Sequence, residues 1–298
     1  MSKLKFSMVT VLIAAFVTPM CAAEIKAALH GSKINVTIDD LFFTSYHFSK
    51  EEKFPFFFPV NGPATGGSVT SMRNGEYPHH SSLYFGCDLV NGGNYWYDGL
   101  EKGQIVSNGA TIMEQGGRVV ITDECIWKHV GAESPLKDIR KITITAPSKD
   151  IRQIDFEITV ETLMDVVVLK NNHSLFSARV AADISEINGG VMINAEGARG
   201  ESATFGKPSA WIDFYGKRGN SVEGITIMQH PSNVGFPFPW FTRNYGFFSP
   251  TPFYWPSNNI NISFRKGEKI TLRYRVLVHA GDHETADISG QFEKYRTE

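Results

Sequence analysis

Two neighbouring segments, Ile139-Arg-Lys-Ile-Thr-Ile-Thr145 and Gln153-Ile-Asp-Phe-Glu-Ile-Thr-Val-Glu161, decide the fold class of this chain. Apolar and polar side chains alternate in both segments, which is the period of a β-strand that buries one face. Pro147-Ser-Lys-Asp150, which lies between them, consists of residue types that favour a hairpin loop. The pair therefore predicts two antiparallel strands joined by a tight connection.

Shorter strand patterns continue along the chain. They predict strands at 33–39, 104–107, 111–113, 118–122, 166–170, 175–181, 210–215, 224–229, 260–264 and 269–278. The two prolines of Phe54-Pro-Phe-Phe-Phe-Pro59 argue against a central strand there, because proline cannot donate to a sheet ladder. Weak helix signals are confined to the tail, at 287–296. Many short strands with almost no helix predict an all-β protein, a large antiparallel two-sheet sandwich.

The first 23 residues have the features of a secretory signal peptide. Lys3 and Lys5 supply positive charge, residues 9–17 form a short apolar core, and Cys21-Ala-Ala23 offers small residues for cleavage. No later segment approaches the ~20 consecutive apolar residues that a membrane helix needs. We therefore expect residues 24–298 to form one β-sandwich domain without an integral membrane span, periplasmic or secreted.

Composition and cysteine content bear on partners and redox state. The chain has 29 basic and 31 acidic residues, a formal net charge of −2, and no basic stripe, so nucleic acid is not an expected partner. Cys87 and Cys125 would remain after cleavage of the signal peptide. In an oxidising compartment they could form a disulfide, and the alternative is two small buried side chains.

Two polar, aromatic stretches contain the candidate chemistry. The first runs from Glu76 to Trp96 and includes adjacent histidines, His79 and His80; the second begins at His230. Histidine can act as a general acid or base near neutral pH, or can ligate a metal. Pro78 favours an irregular backbone, from which neighbouring side chains could reach one ligand. We expect the two stretches to meet in one concave site with His79, His80 and His230 as catalytic candidates.

The residues around these histidines are typical of a sugar-binding site. Flat aromatic rings complement the weakly apolar faces of sugars, while amides, arginine and carboxylates bind the hydroxyl groups. The aromatic candidates are Tyr95, Trp96, Tyr97, Trp240, Tyr245 and Trp255. The polar candidates are Asp88, Asn91, Glu196, Asn233 and Arg243. Each aromatic residue taken alone is equally compatible with a place in the core, and Arg243 with a purely structural stacked arginine.

The two stretches together resemble the bacterial methane oxygenase PmoA-like family, whose pattern is roughly HPHHRGLWF, then HGDVNG and FW. The corresponding segments here are 77–85, 88–92, 95–96, 196–200, 211–213, 224–233 and 243–248, with Gly206. The chain departs from that pattern at Tyr77, Ser81, Cys87 and Phe241, where the family has histidine, arginine, histidine and histidine. The resemblance implies a soluble β-domain similar to the galactose-mutarotase-like supersandwich, and the methane label would be a misnomer.

The leading functional hypothesis is a carbohydrate-active enzyme that uses histidine and carboxylate acid–base chemistry. His80 and His230 would exchange protons, His79 would orient the substrate, and Asp88 or Glu196 would supply the carboxylate that glycoside chemistry needs. The first alternative is a glycan-binding protein without catalysis. The second is a metal-dependent enzyme in which the three histidines are ligands. The sequence identifies no cofactor and no dedicated metal motif.

Overall fold

The computed structural model of the protein describes residues 23–97, 99–170, 173–253 and 261–298. The predicted signal peptide therefore lies outside the described residues, except for Ala23. The strands of the first half are β1 (Ile25–His30), β2 (Lys33–Ile38), β3 (Leu41–His47), β4 (Phe56–Val60), β5 (Met72–Asn74), β6 (Tyr77–Ser81), β7 (Leu83–Cys87), β8 (Gln104–Ser107), β9 (Thr111–Glu114), β10 (Val119–Lys128) and β11 (Leu136–Ser148).

The second half continues with strands and two α-helices. The strands are β12 (Ile151–Thr162), β13 (Val166–Val168), β14 (Ser174–Arg179), β15 (Val191–Asn194), β16 (Trp211–Arg218), β17 (Ser221–Gln229), β18 (Trp240–Arg243), β19 (Phe247–Pro250), β20 (Ile262–Phe264) and β21 (Lys269–Ala280). The helices are α1 (Glu201–Thr204) and α2 (Ile288–Tyr295), and short 3-10 turns occur at Leu100–Lys102, Ala182–Ile184 and Glu186–Asn188.

Two large antiparallel sheets form the body of the protein. One has the strand order β1-β2-β3-β4-β7-β14-β19-β18, and the other has the order β15-β16-β17-β21-β12-β11-β10-β8, with β9 on β10. Two small ribbons, β5-β6 and β13-β20, complete the described sheet structure. The predicted all-β, antiparallel two-sheet sandwich is confirmed.

Aromatic contacts show that the two sheets pack face to face. Phe176 of β14 stacks on Tyr274 of β21 with ring centroids 4.7 Å apart. Phe214 of β16 lies 5.0 Å from Phe248 of β19. These residues belong to one continuous apolar core built from both sheets, and burial of their apolar surface is the main stabilising contribution to such a sandwich.

The alternating segments behave as predicted. In β11 the side chains of Ile142 and Ile144 are fully buried, whereas Ile139 on the other face is 42% exposed. β11 and β12 pair from Leu136↔Thr162 to Ser148↔Ile151, so the turn between them is tighter than the predicted loop. The tail helix is also confirmed: α2 begins after Asp287, whose side chain accepts from the N–H of Gly290.

The expectation against a central strand at residues 54–59 is wrong. β4 lies between β3 and β7 in the eight-stranded sheet. Its pairing with β3 is interrupted between Thr44 and Tyr46, and Pro59 lies at that irregularity, opposite no residue in the register. The ring therefore removes no ladder hydrogen bond, and the carbonyl of Pro59 instead accepts from the Thr44 hydroxyl at 2.6 Å. Within the part of the chain that the structure describes, no helix is long and apolar enough to cross a membrane.

Candidate functional site

An open cavity of about 570 Å³ lies beside the first histidine stretch. Its wall is formed by Glu51, Glu52, Lys53, Arg73, Pro78, His79, Ser81, Trp96, Tyr97 and Leu100. Trp96 is almost fully buried, whereas Tyr97 is 36% exposed and presents its ring to solvent. The cavity thus combines an aromatic wall with charged and hydrogen-bonding groups, which is the composition that sugar sites require.

The irregular backbone expected at His79 and His80 is found. β6 pairs with β5 at Tyr77 and Ser81, and the three residues between them lie opposite the single residue Arg73, so the extra residues of the irregular register are on β6. Because neighbouring side chains of a strand diverge, His79 lines the cavity and His80 is buried, 4% exposed. The two rings still touch edge to face, with centroids 4.5 Å apart.

His80 is enclosed by aromatic rings. Its imidazole stacks on Tyr77 at 5.0 Å and on Phe247 at 4.6 Å. Burial, together with the positive charge of His79, Arg179 and His173, lowers the pKa of His80 to about 2. His80 is therefore neutral at physiological pH, which makes it a poor general base and a possible hydrogen-bond donor or acceptor only.

A hydrogen-bonded carboxylate–histidine pair, Asp88 with His173, packs against Trp96 and Tyr97 of the cavity wall, although neither member of the pair lines the cavity itself. Oδ2 of Asp88 lies 3.1 Å from Nδ1 of His173, and Oδ1 of Asp88 accepts the backbone N–H of His173. The carboxylate is 2% exposed, whereas the side chain of His173 is 35% exposed. The imidazole stacks on Trp96 at 5.4 Å and approaches Tyr97 edge-on at 6.4 Å. Asp88 thus orients a partly exposed histidine against both aromatic residues of the cavity wall.

The sheet register explains this pairing. β7 and β14 are antiparallel, and Cys87 is opposite Ser174. Asp88 follows β7 and His173 precedes β14, so the antiparallel register makes them neighbours. The N–H of Asp88 donates to the carbonyl of His173 at 3.1 Å. His173 is not among the residues predicted from the sequence. The β7–β14 pairing that brings it to Asp88 joins segments 85 residues apart, and no local sequence pattern indicates this pairing.

The second stretch reaches the first through its aromatic residues. Tyr245 stacks on Tyr77 with centroids 4.5 Å apart, and Phe247 packs on His80. Burial, together with the neighbouring Tyr77, raises the pKa of Tyr245 to about 12. Of the predicted residues of the second stretch, Tyr245 is the one that this contact brings to the His79–His80 strand.

His230 lies elsewhere. It follows β17 and lines a groove of about 430 Å³ with Arg273, Tyr295 and Glu298 on the nine-stranded sheet. Its ring packs on Tyr295 of helix α2 at 4.9 Å, and Nδ1 is engaged by Ser232. Burial lowers the pKa of His230, and the neighbouring Arg273 acts in the same direction. The expected meeting of His230 with His79 and His80 in one site is therefore not found.

Two of the predicted substrate ligands hold the backbone instead. Asn91 donates to the carbonyl of Asp165 at 3.0 Å and accepts from the N–H of Val167 at 2.8 Å. Asn233 makes the equivalent pair of bonds with the backbone of Arg273, at 2.9 and 2.8 Å. In both residues the amide nitrogen and the amide oxygen are thus each engaged in a loop-to-strand contact.

Arg243 and Glu196 also lie apart from the cavity wall. The guanidinium of Arg243 stacks between Phe205 and Phe241 and donates to Glu201 at 2.9 Å, so its charge is neutralised. Glu196 is exposed in the turn between β15 and β16. Neither residue lines the cavity of His79.

Several aromatic candidates prove to be core residues. Tyr95 and Trp240 are fully buried, and the indole N–H of Trp240 donates to the carbonyl of Ser209 at 2.8 Å. Trp255 lies outside the described residues. Of the remaining aromatic candidates, Trp96 and Tyr97 line the cavity and Tyr245 is half-buried.

The described residues contain neither the predicted histidine metal site nor a Cys87–Cys125 disulfide. Across the described ranges, no three His, Cys, Asp or Glu side chains are arranged to hold one ion, so the triplet His79, His80 and His230 does not converge. Cys87 and Cys125 are both buried and no disulfide joins them, and burial raises the pKa of each thiol. The alternative of two small buried side chains is therefore the one observed.

The sequence matches a family profile over most of its length. The chain belongs to DUF6807, a family of unknown function, and the match spans residues 33–293. This finding overturns the methane oxygenase PmoA-like interpretation, because the matching profile is that of DUF6807 and nothing in the comparisons points to a PmoA-like family. No curated protein matches the sequence.

Several solved structures resemble the chain at very low identity. A galactose 1-epimerase from Lactobacillus acidophilus NCFM is 8% identical, with a TM-score of 0.43, and the alignment covers 87% of this chain and 99% of that one. An aldose 1-epimerase structure from Klebsiella pneumoniae is 6% identical, with a TM-score of 0.43 and coverages of 92% and 87%. The polysaccharide lyase BACCELL_00875 is 11% identical, with a TM-score of 0.36 and coverages of 87% and 33%. These likenesses concern the fold alone and transfer no substrate, reaction or catalytic residue.

Proposed function

We propose that this member of DUF6807 is a carbohydrate-active enzyme in which His173, oriented by Asp88, transfers a proton to or from a sugar bound in the His79 cavity. The observation that carries the proposal is the Asp88–His173 pair, placed against the aromatic wall of an open cavity. A carboxylate that holds Nδ1 of an imidazole fixes its tautomer and supports a positive charge on the ring during proton transfer.

The distribution of carboxylates favours histidine chemistry over two-carboxylate glycoside hydrolysis. Asp88 has both oxygens engaged by His173, and Glu196 does not line the cavity. Glu52 lines the cavity but is ion-paired with Arg73, and Glu51 is exposed at its edge. A retaining or inverting glycosidase needs two carboxyl groups on opposite sides of the scissile bond. Proton transfer at a sugar carbon or hydroxyl, as in isomerisation or elimination, needs only positioned acid and base groups.

The roles of the three predicted histidines change accordingly. His79 lines the cavity and touches Tyr97 at 5.9 Å between centroids, so it is positioned to contact substrate. His80 supports that wall as a buried neutral ring, and His230 belongs to another groove. His173 therefore takes the acid–base role that the sequence hypothesis gave to His80 and His230.

A glycan-binding protein without catalysis is the second candidate. It is favoured by the neutral state of His80, which leaves one histidine fewer for proton transfer. Incubating the purified protein with a panel of glycans, and following both thermal shift and products by mass spectrometry, separates the two functions. Product formation supports the enzyme, a thermal shift without product supports the binding protein, and neither signal with any glycan contradicts both.

The N-terminal stretch supports a proposal on localisation. Its charge, short apolar core and small residues are those of an exported protein, so we place the mature chain in the periplasm or outside the cell. N-terminal sequencing of protein recovered from the extracellular or periplasmic fraction should give a start at residue 24. Recovery of the intact N-terminus in the cytoplasm alone would contradict export.

A further inference from the structure

We infer that the site binds a sugar that carries a carboxylate, of the uronic acid type, and that Arg179 is the residue that recognises it. This inference rests on the proposed carbohydrate function and specifies its substrate class. The inference is based on the hydrogen bonds of Arg179, which differ from those of the other buried arginines among the described residues.

Four arginines are buried within the described residues, Arg140, Arg152, Arg179 and Arg275. Arg140 donates from Nε and Nη2 to the two oxygens of Asp138. Arg275 donates from the same two nitrogens to Asp155, at 2.7 and 3.0 Å. Arg152 donates to the backbone carbonyls of Ser148 and Lys149. Each of these three guanidinium groups therefore finds an oxygen acceptor, as a buried cation requires.

Among the described residues, Arg179 has no such acceptor. It is 6% exposed, its Nε is buried without a hydrogen-bond partner, and Nη2 makes no hydrogen bond there. Within the same part of the chain, the one hydrogen bond of the guanidinium is from Nη1 to Nδ1 of His80, at 3.4 Å. The unfilled edge, Nε with Nη2, is the one that binds a carboxylate in Arg140 and Arg275.

Aromatic rings hold the guanidinium in place. Its central carbon lies 4.4 Å from the ring of Tyr245 and 5.1 Å from that of Tyr77. Such stacking fixes the plane of the fork but satisfies none of its N–H groups. Burial lowers the pKa of Arg179, yet an arginine remains charged in a protein, and the carboxylate whose charge acts on it is the exposed Glu76.

The position of this cation connects it with the cavity. Arg179 contacts His80, His80 touches His79 edge to face, and His79 lines the cavity. Tyr77 and Tyr245 are both half-buried and stack on each other beside the guanidinium. A sugar bound beside these tyrosines would place a carboxylate against the guanidinium of Arg179, with which it would form charge-assisted hydrogen bonds.

The test compares matched pairs of sugars that differ in one group. Calorimetry with the purified protein would measure methyl β-glucuronide against methyl β-glucoside, and methyl α-galacturonide against methyl α-galactoside, together with the corresponding oligosaccharides. We expect the acidic member of at least one pair to bind roughly ten-fold or more tightly, since a charge-assisted hydrogen bond is worth more than a neutral one. Equal affinities for acidic and neutral sugars would overturn the inference while leaving the proposed function intact.

Substitutions test whether Arg179 is responsible for the preference for acidic sugars. Arg179→Met removes the charge but keeps the apolar stem, and should reduce the acidic-to-neutral ratio to about one. Arg179→Lys should keep part of it. Arg243→Met is the matched control, because that arginine is also stacked on two rings but is already neutralised by Glu201.

Each remaining outcome counts for or against the inference. A preference that survives in Arg179→Met, or that is lost equally in Arg243→Met, contradicts the role of Arg179. Tighter binding of a sulfated sugar than of the uronide overturns the choice of carboxylate. If Arg179→Met does not fold, the ratio of acidic-sugar to neutral-sugar affinity is compared between the wild-type protein and Arg179→Lys, and an unchanged ratio contradicts the inference. Binding of neither sugar class would contradict the proposed function itself.

Discussion

Asp88 and His173 lie side by side at the end of the β7–β14 ladder, with 3.1 Å between Oδ2 of the carboxylate and Nδ1 of the imidazole. The same carboxylate also accepts the backbone N–H of His173. Two bonds to one residue fix the ring relative to its own backbone, so the imidazole meets Trp96 and Tyr97 in a defined orientation. This relationship makes His173 the acid–base residue of the proposed enzyme.

Replacing His173 should remove activity without unfolding the protein. His173→Asn is expected to lower kcat roughly 100- to 10,000-fold, the range that positioned acid–base groups contribute. Asp88→Asn should also lower kcat. The amide oxygen can still accept the backbone N–H of His173, but the amide NH2 group then faces Nδ1 and can no longer accept a proton from it. Kinetics on the substrate found in the glycan panel, with the exposed His30→Asn as control, measure both effects. Full activity in His173→Asn would refute the assignment.

Truncating Tyr97 should weaken sugar binding. The side chain is 36% exposed on the cavity wall, so Tyr97→Ala removes a stacking surface at little cost to the core. We expect a loss of up to ~10-fold in affinity, in line with about 0.5–1.5 kcal/mol for an aromatic contact. Phe42, 41% exposed on β3, gives the matched control Phe42→Ala. Equal affinity of Tyr97→Ala and wild type, measured by calorimetry, would place the sugar elsewhere.

The buried neutral His80 should make the protein less stable in acid. Its pKa is lowered to about 2 in the folded state, whereas an unfolded histidine titrates near 6.5, so the unfolded chain binds the additional proton first. The free energy of unfolding should fall by about 2 kcal/mol between pH 7 and pH 5 from this residue alone. Urea unfolding of wild type and His80→Phe at both pH values tests this. An identical pH dependence in the two proteins would contradict a depressed pKa.

The buried pair of His279 and Asp213 should have the opposite pH dependence. Nε2 of His279 lies 3.0 Å from Oδ1 of Asp213, and Nδ1 lies 3.1 Å from the carbonyl of Gly281. Burial of the ring opposes its protonation, but the charge of Asp213 and these bonds prevail and raise the pKa of His279.

The stabilisation from this pair is complete below the unfolded pKa of about 6.5 and is lost as pH rises through the folded value. Wild type should therefore lose stability relative to His279→Gln between pH 6 and pH 9 in urea unfolding. A difference that stays constant over this range would indicate that the ring is not charged at pH 6.

The sequence predicted the fold well where the pattern is local. The strands around Ile142 and Ile154 alternate strictly and appear as expected, and helix α2 begins and ends within one residue of the predicted tail segment. β4 was missed because Pro59 lies at an interruption of the ladder that no local pattern reveals. β6 was missed for a related reason, since three of its five residues lie opposite a single residue of β5.

The candidate site was predictable only in part. The stretch around His79, Trp96 and Tyr97 does form a cavity wall, because these residues follow one another in the chain. The partners of that wall come from distant segments: His173 enters through the β7–β14 pairing and Arg179 from the far end of the same strand. These contacts are determined by the pairing of segments about 85 residues apart. The hydrophobic periodicity of a strand does not indicate which distant strand it pairs with.

The most direct measurement is product formation from the glycan panel by three proteins in parallel: wild type, His173→Asn and His230→Asn. We expect wild type and His230→Asn to convert the same glycan at similar rates, because His230 lies in the groove of Arg273 and Tyr295. We expect His173→Asn to convert it roughly 100-fold or more slowly while retaining the thermal stability of the fold. Loss of turnover in His230→Asn with full activity in His173→Asn would contradict the account and would move the active site to the nine-stranded sheet.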